Sequence, residues 1–324
     1  MLQSGVDLSI VVPVYMEEAS IGPFLARTEA VLARLGVSHE IVFAMDPGTD
    51  QTETVIREAI ARNPQIRLLT FSRRFGQPAT TMAGILHCAG RACVVIDVDL
   101  QDPPEAIEAM YAKLGEGYDV VYAVRRSRAG ETRIKRLVAH VGYRAINRLS
   151  EVEIPRDAGD FRIMSRRVVE ALRAMPESHG FLRGLVAHVG FRQAAITYDR
   201  DERLAGQGKY NRWTGSIKIG LNGIISFSSR PLQMMSIAGF FLAGLSFLIG
   251  AWYVFQRLVG MPLTAGLPTT VLVVTFFSGV QLLSLGLIGE YIGRIYDEVK
   301  RRPLYIIDQK VNFGEEPPHD APGR

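Results

Sequence analysis

The sequence predicts an α/β domain on a mostly parallel sheet, followed by an interfacial amphipathic helix and two membrane-crossing helices. Three observations carry this. In the first half, β-branched apolar runs alternate with amphipathic segments, the rhythm of strands buried under helices on both faces. No Asp, Glu, Lys or Arg occurs from Pro231 to Gln256, and after Arg257 none recurs before Glu290. Basic residues flank those gaps on one side only: Arg212, Lys218 and Arg230 before them, Arg294, Lys300, Arg301 and Arg302 after. That asymmetry places both flanks on the cytoplasmic side.

In chain order, Leu8–Val14 is a continuous apolar run, expected as a strand buried on both faces. Ser20–Leu35 is expected as a helix with Ser20 as its N-cap. Glu40–Ala44 is a second strand. Asp50 is expected to cap a helix running to Arg62, stopped by Asn63-Pro64. Ile66–Phe71 is a third strand, Gln77–Cys88 a helix and Cys93–Asp97 a fourth strand. Asp102-Pro103-Pro104-Glu105 has the form of a helix start, with Asp102 at the cap. Asp119–Val124 is a fifth strand. Beyond it the pattern is mixed, with helices expected at Arg133–Arg148 and Ser165–Met175. In Trp213–Ser229, Trp213, Ile217, Leu221, Ile224 and Ile225 recur at helical spacing, as an interfacial helix requires. Pro231–Gln256 would span about 39 Å as helix, enough to cross a bilayer. Gly260–Pro268 is a turn, and Thr269–Gly289 a second crossing. The domain boundaries expected are 1–205 for a cytoplasmic catalytic domain, 206–232 for the juxtamembrane region, 233–290 for the hairpin and 291–324 for a cytoplasmic tail. Residues 314–324 read as disordered.

Composition excludes several classes. At 324 residues, 48% apolar and 22% charged, the chain is neither disordered, collagenous nor a disulfide mini-protein. A net charge of +4 gives no argument for nucleic acid. From Arg125 to Arg148, however, eight basic residues face one acid, and from Arg203 to Arg230 there are five basic residues and no acid. Such runs suit phosphates or an anionic leaflet. Cys88 and Cys93 are expected to pack in the core.

The chemistry is carried by Asp97-Val98-Asp99-Leu100-Gln101-Asp102, where a buried strand runs out. Alternate residues on a strand share a face, so Asp97, Asp99 and Gln101 would present three oxygen-bearing side chains to one point. Such ligands suit Mg²⁺ or Mn²⁺ held against a diphosphate. The other strand ends are polar too: Tyr15-Met16-Glu17-Glu18, Asp46-Pro47-Gly48-Thr49-Asp50 and Ser72-Arg73-Arg74-Phe75-Gly76-Gln77. Open α/β sheets bind ligands at that edge. Neither a dinucleotide fingerprint nor a P-loop is present.

In these stretches the chain resembles the membrane-anchored polyprenyl-phosphate glycosyltransferases, inverting enzymes with the GT-A fold. The similarity lies in Val11-Val12-Pro13-Val14-Tyr15-Met16-Glu17-Glu18, in Ser72–Gln77 and in Asp97–Glu105. It continues in Ala158-Gly159-Asp160-Phe161-Arg162, in Gly223–Ser228 and in Gly289-Glu290-Tyr291-Ile292-Gly293-Arg294-Ile295-Tyr296. The resemblance implies that Pro13, Tyr15, Glu17, Asp46 and Gln77 line a nucleotide-sugar pocket with Asp97. It implies that Asp97, Asp99 and Gln101 form the metal and donor-phosphate site. Arg125, Arg133, Arg203 and Lys209 would meet phosphates, and Asp157 and Asp160 would face the acceptor, with Asp99 in the catalytic set. The chain departs from the family in having one acid at Met45-Asp46-Pro47-Gly48, Gln207-Gly208 before Lys209, and His188 where a tryptophan is common.

The expected function is transfer of a sugar from a nucleotide diphospho-sugar, UDP-glucose by similarity, to undecaprenyl phosphate at the cytoplasmic leaflet of the cell's inner membrane, with inversion. GDP-mannose or a UDP-amino sugar as donor, and a non-catalytic membrane scaffold, stand as alternatives. The expected partners are the donor, the polyprenyl phosphate and the membrane, with no nucleic acid. Two spans enclose little by themselves, which leaves room for a homo-oligomer.

Overall fold

The structure is a computed structural model that describes residues 5–126, 158–175, 182–199, 230–260 and 266–314. The helices expected at Arg133–Arg148 and Trp213–Ser229, most of the Gly260–Pro268 turn and nearly all of residues 314–324, expected as disordered, lie outside the described residues.

The first five strands are β1 (Leu8–Val14), β2 (His39–Met45), β3 (Ile66–Phe71), β4 (Ala92–Val95) and β5 (Val120–Arg125). Between them run α1 (Glu18–Leu35), α2 (Thr52–Arg62), α3 (Gln77–His87) and α4 (Ala106–Gly115). Three further strands lie where the sequence pattern is mixed or carries no strand signal: β6 (Ala158–Ser165), β7 (Gln193–Tyr198) and β8 (Ile307–Val311). The short helices α5 (Arg166–Arg173) and α6 (Leu182–Val189) separate β6 from β7. The sheet order is β7-β5-β6-β4-β1-β2-β3-β8. Strands β1, β2, β3 and β4 are mutually parallel, β5 is parallel to β7, and β6 and β8 run against their neighbours. A mostly parallel arrangement puts the ends of β1 to β4 along one edge, which is where this fold keeps its chemistry.

Every residue of β1 is buried. The sheet core includes Ile10, Val12, Ile41 and Phe43, and α1 covers it with Ile21, Phe24 and Leu32. The Phe24 and Phe43 rings meet edge to face at 6.3 Å. Helix α3 lies close against the sheet at Gly84, where a Cβ would collide with Val11 Cγ1. Cys88 and Cys93 are both buried.

Three expected caps are corrected. Helix α1 begins at Glu18, and Ser20 sits inside its first turn with its hydroxyl donated to Glu17 Oε2 at 3.1 Å. Helix α4 begins at Ala106 with Glu105 at the cap position, three residues beyond the expected start. Asp102 is buried instead and accepts the Tyr198 hydroxyl. Helix α2 begins at Thr52 with Gln51 at the cap position, and Asp50 lies one residue before it, its two oxygens taking the Thr52 amide at 3.4 Å and hydroxyl at 2.7 Å.

The last two helices are α7 (Arg230–Leu258) and α8 (Leu267–Lys300), of 29 and 34 residues. They form a unit separate from the sheet, to which residues 303–314 belong. Both are long and apolar enough to cross a membrane. No residue of α7 is buried, and Phe240, Phe247 and Leu258 are each more than three-quarters exposed. Apolar exposure on that scale calls for an apolar surround.

The Gly84 contact gives a stability prediction. Gly84→Ala should destabilise the domain by about 1–3 kcal/mol, the range for overpacking. In a Val11→Ala background the loss should shrink, because the new methyl then meets Val11 Cβ at 3.5 Å, an ordinary contact. Denaturation of the four proteins of this double-mutant cycle checks it; additive losses would show that the two sites do not couple.

Candidate active site

The pairing of β4 with β6 builds the site. Val95, the last residue of β4, pairs with Arg162 on antiparallel β6. Two residues past Val95 and two before Arg162 lie Asp97 and Asp160, close enough for their charges to interact. Asp97 is half-buried, and its Oδ1 accepts the Gln77 side-chain amide at 2.8 Å. Burial pushes its carboxyl up to about 7, helped by the charges of Asp160, Asp102 and Asp99 and opposed by the Gln77 hydrogen bond. Four acids therefore crowd one strand edge.

The expected alternation of Asp97, Asp99 and Gln101 along a strand is not what the backbone does. Strand β4 stops at Val95, residues 98–99 form a turn, and Leu100 has φ +58°. Asp99 is buried, and its Oδ1 accepts the Gln101 backbone amide at 3.1 Å. The structure thus groups Asp97 with Asp99, Asp102 and Asp160, and brings Gln101 in through its backbone. Among the described residues, no three acidic, histidine or cysteine side chains are arranged to hold a metal by themselves. Mg²⁺ is commonly held by one or two carboxylates plus substrate phosphates, and the acids here fit that sparser set.

Two arginines counter the acids. Arg183 from α6 forks onto Asp160, Nε to Oδ1 at 2.8 Å and Nη2 to Oδ2 at 3.3 Å. Arg162 is buried and donates through Nη2 to the Gly159 carbonyl at 2.8 Å. Burial pulls its guanidinium down to about 10, against the pull of Asp160 and with the push of Arg183. Asp160 is thus held by two charge-assisted guanidinium N–H bonds.

The remaining expected pocket residues lie along the same edge. Pro13 is buried in β1 opposite Ala44. Tyr15, just past β1, lies under the Arg74 guanidinium, 3.9 Å from the ring centre. Glu17 donates its backbone amide to Thr52 Oγ1 at 2.9 Å. Asp46 is buried, and its oxygens accept the Phe75 and Gly76 amides at 3.0 and 2.7 Å. It pins the loop from which α3 starts, and Gly76 in that loop has φ +89°, a conformation glycine adopts without strain. Of Arg125, the end of β5, only the backbone is described; Arg133, Asp157, Arg203 and Lys209 lie outside the described residues. Sequence reasoning missed Asp102, Arg162, Arg183 and Tyr198 as members of this cluster. They join it through tertiary contacts, the strand pairing of Arg162 and the side-chain hydrogen bonds of Arg183 and Tyr198.

The raised Asp97 carboxyl predicts a pH-dependent stability. Its folded value of about 7 lies above the ordinary 3.8, so the folded state holds the proton more tightly than the unfolded one. Stability is lost as pH rises between those values. With chelator present, Asp97→Asn should melt above the wild type at pH 8, and the gap should close near pH 4. An equal gap at both pH values would contradict this.

The chain matches the model of Glycosyl transferase family 2 over residues 9–173. An uncharacterized glycosyltransferase of Bacillus subtilis (strain 168), YkcC, is 42% identical over 308 residues, covering 95% of each chain. The SfII prophage-derived bactoprenol glucosyl transferase of Shigella flexneri is 41% identical over 300 residues, covering 93% of this chain and 97% of its own. Among solved structures, glucosyl-3-phosphoglycerate synthase from Mycobacterium tuberculosis, in complex with Mn²⁺, UDP and phosphoglyceric acid, is similar in fold at 22% identity. Its TM-score is 0.50, over 68% of this chain and 77% of that one. The polar edge of a mostly parallel sheet and the match across most of the chain lead to one conclusion: the chain is a glycosyltransferase and belongs to glycosyl transferase family 2.

Proposed function

We propose that the chain transfers glucose from UDP-glucose to undecaprenyl phosphate at the cytoplasmic face of the inner membrane, with inversion. The observation that carries the reading is the acid cluster of Asp97, Asp99, Asp102 and Asp160 at the sheet edge, in a chain 41% identical over 300 residues to a bactoprenol glucosyl transferase. In the reaction, a phosphate oxygen of the lipid attacks the anomeric carbon, the bond from that carbon to the diphosphate breaks, and UDP leaves. A phosphate monoester has its second pKa near 6, so the acceptor is largely a dianion at neutral pH. It needs little help from a base, and catalysis rests on positioning and charge.

The chain's own groups divide that work. Asp97 and Asp99, with Gln101 beside them, are the residues that would hold a divalent ion, Mg²⁺ or Mn²⁺. Such an ion neutralises charge on a departing diphosphate. Gln77 orients Asp97 through their 2.8 Å hydrogen bond. Asp160 orients Arg183. Tyr15 and Arg74 form a stacked rim suited to a nucleotide, with Pro13, Glu17 and Asp46 shaping the wall behind it. Asp157, Arg125, Arg133, Arg203 and Lys209 serve the acceptor and phosphate side of this reading.

In this reading α7 and α8 cross the membrane and hold the 1–205 catalytic domain at the depth of the lipid headgroup. The 206–232 stretch lies at the interface, 233–290 forms the hairpin, and 291–324 returns to the cytoplasm. The one-sided basic flanks support that orientation.

Two experiments test it. Asp99→Asn keeps the size and an acceptor for the Gln101 amide but removes the charge. It should lower glucosyl transfer at least about 100-fold, since such charge stabilisation is worth several kcal/mol and ~1.4 kcal/mol is tenfold. Chelation of the wild type should do the same, reversed by Mg²⁺ or Mn²⁺; normal turnover in either case contradicts the assignment. For topology, both native cysteines are buried, so an impermeant thiol reagent on intact cells should label Thr264→Cys and spare Glu58→Cys on the exposed side of α2. Labelling at Glu58→Cys would reverse the orientation.

A further inference from the structure

Residues beyond the second apolar helix return to the catalytic sheet, and the place where they join it adjoins the active site. Strand β8 pairs antiparallel with β3: Leu68 with Val311, Leu69 with Lys310 and Thr70 with Gln309. The register then shifts between Thr70 and Phe71, and Phe71 pairs with Ile307. Such an irregularity bends a strand and re-aims the chain beyond it. The chain beyond Phe71 is the loop Ser72–Gly76, which leads into α3 and so to Gln77.

That loop has little burial to hold it. Ser72, Arg73 and Arg74 are exposed, and Phe75 and Gly76 are half-buried. Its geometry therefore depends on discrete anchors. On one side Asp46 takes the Phe75 and Gly76 amides. On the other side the returning segment supplies the anchors. The Ser72 amide donates to the Ile306 carbonyl at 3.1 Å. The Tyr305 ring meets Phe71 edge to face at 5.9 Å, and Phe71 meets Phe75 in the same way at 6.3 Å. Arg73 lies over Phe75, 4.2 Å from the ring centre. Tyr305 also packs against His87 at the end of α3, at 5.9 Å, so it touches elements on both sides of the loop. Further along, the segment is fastened away from the site, by Gln309 to Arg57 and by Asn312 to the Pro64 and Ile66 carbonyls, each at 2.7 Å.

We propose that Tyr305–Val311 is a positioning element of the active site, and that Tyr305 sets the loop Ser72–Gly76 and through it the hold of Gln77 on Asp97. Tyr305 acts through Phe71, Phe75 and the loop backbone. Its effect on catalysis rests on UDP-glucose being the donor, but its effect on the loop does not.

The experiment uses full-length protein and two readouts. In Tyr305→Ala, amide exchange across Ser72–Gly76 should quicken about tenfold while exchange in β1 is unchanged. The KM for UDP-glucose should rise about tenfold, with kcat and the KM for undecaprenyl phosphate near wild type. Tyr305→Phe keeps the ring and should restore both readouts. If Tyr305→Ala does not fold, Tyr305→Leu, which keeps bulk without the ring, is measured in its place. Unchanged loop exchange, quickened exchange throughout the sheet, or a loosened loop with an unaltered donor KM would each overturn the proposal. Exchange needs no substrate, so a wild type that fails to use UDP-glucose would count against the proposed reaction while leaving the loop arm decisive.

Discussion

The antiparallel pairing of β4 with β6 is the constraint on which the site depends. In an otherwise mostly parallel sheet, a strand that runs backwards delivers its first residues to the edge where its neighbours deliver their last. Val95 opposite Arg162 brings Asp97, just past β4, near Asp160, close enough for the two charges to interact. The result is electrostatically uncomfortable: acids from two distant parts of the chain crowd together, and the Asp97 carboxyl is pushed up to about 7. A stability-optimised protein would separate them. Their grouping makes sense as a site that is completed by positive charge, from Arg162 and Arg183 within the chain and, in the proposed reading, from a divalent ion.

The rest of the domain keeps that edge in order. The buried strands and close approach of α3 at Gly84 set the position of the helix that starts with Gln77. Asp46 spends both carboxylate oxygens on the backbone of the loop before it. Tyr198, at the end of β7, ties Asp102 into the same edge through its hydroxyl. These contacts use buried or half-buried polar groups with defined partners, which favours one geometry over many.

The parallel half of the fold was legible in the sequence because a strand buried on both faces leaves an unbroken apolar run. Leu8–Val14 and Ile66–Phe71 are observed with the bounds read from that pattern. The two long apolar helices were legible from the absence of charge alone. The elements that escaped were set by tertiary pairing. Ala158–Ser165 carries Asp160 and Arg162, charges that argue against a buried strand until their roles are known. Ile307–Val311 reads IDQKV, exposed at its three central positions, with no apolar run to announce an edge strand. Asp102-Pro103-Pro104-Glu105 has the composition of a helix cap, but the helix starts at Ala106 and the acid turns inward. Asp97 and Asp99 were marked as candidates by their spacing, although the turn at 98–99 replaces the extended geometry that suggested them.

The central claim is that this edge moves a hexose onto a lipid phosphate. Its most direct test is mass spectrometry of the lipid fraction after purified protein is incubated with UDP-glucose, undecaprenyl phosphate and Mg²⁺ or Mn²⁺. The account predicts a new species heavier than undecaprenyl phosphate by one anhydrohexose, with UDP released in equal amount. UDP-glucose left intact, or UDP released without any glycosylated lipid, would contradict it.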